Sequence, residues 1–170
     1  TDEYAIVGCP KHNSNAGAAY IYQRNGTDWN SNETKLTPTG SRVGYSVSIS
    51  GNKVVIGTQG NNSAFVFEYN GTNWAQIKQF TGGSDQFGEA VSISGDNVII
   101  GNWGVNSMTG NAIIYTHNGG TNWSSQTLTQ SGINADDRFG NAVCIAGNNA
   151  VVGAHYDDPQ GNQSGSVSIY

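Results

Sequence analysis

The densest group of oxygen ligands in the 170-residue chain is YDDPQGNQSG, residues 156–165, where Asp157, Asp158 and Asn162 stand with two glycines. A hard cation such as Ca2+ needs several oxygens at alternating positions and a glycine at the turn. This is the one loop with enough of them, so Asp157, Asp158 and Asn162 are the candidate metal ligands, against the structural reading of a solvated turn. Asp85 and Asp137 each stand two residues before a Phe-Gly pair. A carboxylate there binds a ligand, or it accepts backbone N–H bonds in a turn. Ser41 at the matching place ahead of Val43-Gly44 favours the turn. Trp103 stands between Asn102 and Asn106 in a polar loop, and an indole flanked by amides is a platform for stacking a sugar.

Catalysis finds little support. His12, His117 and His155 occupy unrelated places, and no Ser or Cys sits in a GxSxG elbow. No catalytic residue and no organic cofactor is expected; Ca2+ is the one candidate ion. Cys9 and Cys144 are too few and too far apart for a disulfide framework or a zinc site, and read as isolated buried residues. Six Asn-x-Ser/Thr sequons, at Asn25, Asn32, Asn61, Asn70, Asn122 and Asn162, all fall in expected turns or loops. They are glycosylation candidates if the source is eukaryotic and secretes the protein.

Composition narrows the partners. The seven Lys and Arg are scattered and the net charge is −5, which excludes a phosphate backbone as ligand, since that binding needs clustered cations. No apolar run approaches a membrane span and no basic-then-apolar start marks a signal peptide. The chain begins at Thr1, compatible with a processed precursor, a cleaved domain or a chain known in part.

What must position these residues is a repeat. RVGYSVSISGNKVVIG (42–57), QFGEAVSISGDNVIIG (86–101) and RFGNAVCIAGNNAVVG (138–153) align without a gap. Each leads through a polar loop to AFVFEY (64–69), AIIYTH (112–117) or SVSIY (166–170), and the first two continue into NGTNW (70–74) and NGGTNW (118–123). YAIVGCP (4–10), AAYIY (18–22) and RNGTDW (24–29) make a fourth, incomplete copy. In GYSVSIS, Val47 and Ile49 alternate with Ser46, Ser48 and Ser50, the period of a strand. Ser-Gly-Asn, Ser-Gly-Asp and Ala-Gly-Asn-Asn reverse it into a hairpin. The β-branched second strand reads as covered on both faces, the third ends in an Asn-Gly turn, and the fourth is polar and belongs at the outer edge. Trp29, Trp74 and Trp123 are equivalent and placed to cap the gap between adjacent sheets. Four strands at a spacing of 44 to 52 residues, with no helical pattern, predict all-β blades of a β-propeller.

Phe87-Gly88 and Phe139-Gly140, followed by alternating strands, with VVGA (151–154) and IVGCP (6–10), resemble FG-GAP repeats. Integrin α-subunit head domains share the repeat; the NGTxW turn and KLT (35–37) are more similar to FG-GAP repeat proteins of bacteria and protists, which are commonly secreted or surface-attached. The resemblance implies a propeller, usually of seven blades, in which Phe-Gly opens the innermost strand and Gly-Ala-Pro closes the second. It also implies a search for a DxDxDG-like calcium loop, and no such triple occurs. Val43 replaces Phe, Cys9 replaces Ala, and GTQ (57–59) and GNW (101–103) replace Gly-Ala-Pro.

The expected division is a partial blade over 1–42, blades over 43–86 and 87–138, and a partial blade over 139–170, about three and a half repeats and fourteen strands. The head lacks strand one and the tail lacks strand four, so other chains or the rest of a longer chain are needed to close the propeller. The expected function is a non-enzymatic extracellular or cell-surface scaffold for adhesion, assembly or protein binding. Its contact surface is the loops 10–17, 58–63, 102–111 and 154–165, which vary while the strands repeat. A carbohydrate-binding propeller using Trp103 is the alternative. A protein or glycan ligand is expected, with no nucleic acid and no membrane insertion.

Overall fold

The alternating and β-branched runs become strands where the repeat alignment places them. The computed structural model describes residues 3–84, 86–161 and 163–170, so Asp85 and Asn162 lie outside the described residues. Four antiparallel sheets follow one another along the chain. Sheet I holds β1 (Tyr4–Cys9), β2 (Ala18–Asn25), β3 (Asp28–Trp29) and β4 (Thr34–Leu36). Sheet II holds β5 (Ser46–Ser50), β6 (Lys53–Gly57), β7 (Ser63–Tyr69) and β8 (Trp74–Thr81). Sheet III holds β9 (Val91–Ser94), β10 (Asn97–Asn102), β11 (Asn111–His117) and β12 (Trp123–Leu128). Sheet IV holds β13 (Ala142–Ala146), β14 (Asn149–Ala154) and β15 (Ser166–Ile169). Strand order is sequential in sheets II to IV, the meander of propeller blades, with the polar β8 and β12 at the outer edge.

The described residues hold fifteen strands rather than fourteen, because the outer strand of sheet I is broken. From Arg24↔Trp29 to Ile21↔Thr34, β2 moves three residues (24 to 21) while its partner moves five (29 to 34), so two residues loop out and split β3 from β4. In sheet II the same strand carries one register shift, between Val66 and Phe67. In sheet III the pairing is regular. The Trp-to-apolar spacing already carries this: 29 to 36, 74 to 80 and 123 to 128 shorten by one each time.

Apolar residues of neighbouring sheets interdigitate into three successive cores. Ile21 and Leu36 meet Val54, Ile56, Phe65 and Phe67; Val55, Val66 and Phe80 meet Phe87, Val98 and Ile100; Ile99 and Leu128 meet Phe139, Ile145 and Val152. The β-branched second strands of sheets II and III are therefore covered on both faces, as their unbroken apolar runs require.

A chain of glycines sets how closely the sheets approach. The N–H of Gly44, Gly88 and Gly140 donates to the carbonyl of Gly57, Gly101 and Gly153 in its own sheet, at 3.0, 3.1 and 3.0 Å. The carbonyl of each first glycine then presses on the second-strand glycine of the sheet before. A Cβ on Gly8, Gly57 or Gly101 would overlap the oxygen of Gly44, Gly88 or Gly140. Gly88 and Gly140 hold φ of 93°, which a side chain would strain.

The inner strands are joined by serines. Oγ of Ser46, Ser48 and Ser50 accepts the N–H of Val91, Ile93 and Gly95 at 3.1, 3.2 and 3.0 Å. Ser92 and Ser94 accept from Ile145 and Gly147 at 3.1 and 3.0 Å. The polar half of the SVSIS alternation thus satisfies the bare edge of the next inner strand. In sheet IV the matching positions are Ala142, Cys144 and Ala146. Cys144 is exposed and Cys9 half-buried, a correction to the expectation of two buried cysteines: Cys144 faces the side of sheet IV that no described sheet covers.

Near the rim, Lys53 Nζ of sheet II donates to Asp96 Oδ1 of sheet III at 2.7 Å and lies 3.5 Å from Glu68. The hydrogen bond from Lys53 holds the Asp96 carboxyl below the usual carboxylate range.

A Gly101→Ala substitution is expected to destabilise the fold by about 3 kcal/mol, since overpacking against backbone cannot relax. Gly83→Ala, where a Cβ meets nothing, is the control and should change stability by less than about 0.5 kcal/mol in denaturant titration. For Asp96 the lowered folded pKa means that its contribution is complete above the unfolded carboxylate pKa and lost as pH falls through the folded one. Asp96 is 59 % exposed, so that contribution stays under about 0.5 kcal/mol. Melting curves of wild type and Asp96→Asn should differ at pH 7 and coincide near pH 2; a gap that widens in acid would contradict the assignment.

Candidate functional site

The loops that follow the second strand share one end of the blades. His12–Asn15 and Val105–Met108 each form a single turn containing left-handed residues, Asn13 and Ser14 in one and Asn106 and Ser107 in the other. Each turn leads to a glycine, Gly17 or Gly110, that bridges to Val43 or Phe139 of the next sheet. A side chain on either glycine would overlap that strand's backbone. The loops vary in length and sequence, yet their far ends are pinned to the next inner strand.

At this end three residues from two sheets stack. The Arg138 guanidinium lies 4.8 Å from the Trp103 ring and 4.6 Å from the Tyr156 ring. Trp103 Nε1 donates to Glu89 Oε2 at 3.0 Å, and His155 packs on Tyr156 at 4.0 Å. Burial, and then the Arg138 charge, push His155 below its ordinary pKa, so the ring is neutral at pH 7. Arg138 Nε is buried with no hydrogen-bond partner among the described residues. A hollow of about 420 Å3 opens beside the guanidinium, lined by Asp136, Asp137, Asp158 and Gln163.

Part of the Trp103 platform is occupied in this arrangement. Its indole is half-buried, one ring contact is taken by Arg138 and its N–H by Glu89. Asn102 is buried and accepts from Ser84 Oγ at 2.7 Å, while Asn106 is exposed in the left-handed turn. Reading Trp103 in isolation missed Arg138, Glu89 and Tyr156. One available signal was the alignment, which puts Arg42, Gln86 and Arg138 at the same place before each inner strand.

The carboxylates of the acidic loop are committed to the chain itself. Asp157 is buried; its Oδ2 accepts from Gln130 Nε2 at 3.0 Å and its Oδ1 from the Asp158 N–H at 2.9 Å. Asp158 Oδ1 accepts from the Gln163 N–H. Gln130 also accepts from Ser168 at 2.7 Å, so Asp157 and Gln130 together fasten sheet III to β15. Asp137 is buried and accepts from the Asn134 N–H at 2.5 Å, as a turn cap does. Among the described residues no three His, Cys, Asp or Glu side chains converge on a metal position.

Of the sequons, Asn25, Asn32, Asn70 and Asn122 are exposed and Asn61 is half-buried. Asn70 Oδ1 accepts from the N–H of Thr72 and Asn73, both at 3.0 Å, and so builds the hairpin turn. The tryptophans are equivalent in sequence but not in burial. Trp74 is buried on Tyr4 and Tyr69 and Trp123 packs on Phe80, whereas Trp29 is 47 % exposed because no described sheet lies against that face of sheet I.

Residues 81–115 and 123–170 match the model of the FG-GAP repeat. These segments are FG-GAP repeats. The four sheets are accordingly propeller blades, and the glycine relay gives the motif its physical meaning. Phe-Gly supplies the buried ring and the pressing carbonyl, and the glycine that ends the second strand supplies the space for it. Comparison with curated proteins gives no match. Among the described residues no helix is long and apolar enough to cross a membrane.

Proposed function

We propose that this FG-GAP chain is a non-enzymatic scaffold, extracellular or on a cell surface, that binds a protein partner through the loop end of its blades. The observation that carries the reading is the Trp103–Arg138–Tyr156 stack. Trp, Tyr and Arg dominate interface hot spots, and here a planar cation is held between two rings on rigid strand ends. Met108, 40 % exposed in the neighbouring turn, adds an adaptable apolar contact. The expected result is that Arg138→Ala weakens binding to a responsive member of a panel of extracellular proteins by about 30-fold, the size of a 2 kcal/mol hot spot, with the melting temperature kept. Equal affinity of wild type and variant for every binder would remove the loop end as the interface.

The two end faces support a further part of the reading, that each takes another FG-GAP blade, in the same chain or in a second one. On sheet IV, Val151, Val167 and Ile169 are 37, 67 and 74 % exposed, while Val55 and Ile99, the counterparts of Val151 in sheets II and III, are fully buried. Gly153, the last of the glycine relay, has only Ala142 within 4 Å of a built Cβ, and a hollow of about 480 Å3 opens beside it. Sheet I exposes Val7 and Trp29 on its opposite face. Sedimentation of the 170-residue chain should show self-association that Val167→Asp with Ile169→Asp suppresses; a monomer at all concentrations in both would count against it.

A further inference from the structure

The outermost part of the junction between sheets I and II is hollow, and the matching part of the next junction is full. Leu36, Phe80 and Leu128 occupy one repeat position, each paired with the alanine that stands second in the third strand: Ala19, Ala64 and Ala112. Between sheets II and III the Phe80 ring fills the gap, stacked on Tyr115 at 3.9 Å and edge-on to Trp123 at 5.2 Å. Between sheets I and II the shorter Leu36 leaves a cavity of about 410 Å3. That lies within the ~300–1,000 Å3 range of small-molecule sites.

The lining has a definite chemistry. Its apolar floor is Leu36 with the aromatic group of Tyr4, Tyr69 and Trp74, whose rings lie 5.4 to 5.8 Å apart. Its rim carries Gln23, Asn30, Asn32 and Asn73. Asn30 and Asn32 are there because the outer strand of sheet I loops out between β3 and β4. The side-chain amides of Asn30, Asn32 and Asn73 make no hydrogen bond among the described residues. The single charged residue of the lining, Lys35, pairs with Tyr20 on the opposite face of sheet I from Ile21 and Leu36; its Nζ lies 5.9 Å from the Tyr20 ring and donates to His12 Nε2 at 2.7 Å, so the ammonium is directed away from the groove. At the junction of sheets III and IV, Leu128 also leaves a hollow, about 270 Å3, but no tryptophan lines it.

We infer that the groove between sheets I and II binds a neutral saccharide. A pyranose has C–H faces that pack on aromatic rings and hydroxyls that both donate and accept, and an amide side chain offers both roles. A phosphate or an acidic sugar would find no cation directed into the groove, and a purely apolar ligand would bury the rim amides unpaired. The inference rests on the binding-scaffold reading, but it uses a site at the side of the blades, away from the Arg138 stack.

The 170-residue chain made in a bacterium that adds no glycan to Asn32 is probed on a microarray of neutral oligosaccharides, and the methyl glycosides of the hits are titrated by tryptophan fluorescence. Leu36→Phe, which copies the filled junction, should weaken binding at least 10-fold. Asn30→Ala with Asn73→Ala, the first half-buried and the second exposed on the rim, should do the same without a loss of melting temperature. Wild type that binds no neutral glycan, or that binds only acidic ones, overturns the proposal. So does binding that both variants leave intact or that is lost on Trp103→Ala instead. Protein binding dependent on Arg138 should persist in Leu36→Phe, which separates failure of the groove from failure of the scaffold reading.

Discussion

Backbone against backbone is the contact on which this structure depends. In sheets II, III and IV the glycine opening the inner strand hydrogen-bonds to the glycine closing the second strand, and its own carbonyl rests where the Cβ of the previous sheet's glycine would be. Close approach at the inner end holds the sheets near enough for their apolar residues to interdigitate. It also brings the inner strands within reach of serine hydroxyls, whose acceptors satisfy the edge N–H groups of the next sheet. A side chain at any of the three pinching glycines would widen the gap, with loss to the core and to the serine bonds together.

Away from that inner end the constraint relaxes, and the sheets differ. Sheet I loops two residues out of its outer strand, sheet II carries one register shift, and sheet III carries none. The position facing the next sheet is Leu, Phe and Leu in turn, so one junction is sealed by stacked rings while its neighbours hold cavities. The loop end varies in a second way. There the left-handed turns and the residue before each inner strand decide what meets, and they bring Arg138 between Trp103 and Tyr156. The rigid inner wheel and the variable rim are two results of one geometry, since distance between neighbouring blades grows outward.

The buried acidic residues have structural partners. Among the described residues Asp137 and Asp157 are the two buried carboxylates, and the hydrogen bonds they accept come from main-chain N–H groups and from Gln130. A buried carboxylate needs such donors to offset its desolvation. In a loop rich in Gly and Asn the nearest donors are the turn's own amides.

Much of this was legible in the residues. Repeats that align without a gap, alternation in SVSIS, β-branched second strands and Asn-Gly turns determined the strands, their order and the propeller blade, because strand period and turn chemistry are local properties. The glycine positions were legible too, though not their purpose. Tertiary structure alone decided what each face meets. It covered the serine face of the inner strand with the next sheet's N–H groups, and it left Trp29 and Cys144 open because no described sheet lies against them. Arg138, 35 residues beyond Trp103, reaches its ring only because consecutive blades place their loops side by side. The groove at Leu36 required the same assembly, since a cavity is the volume that two sheets fail to fill, and neither sheet's sequence records the other's shape.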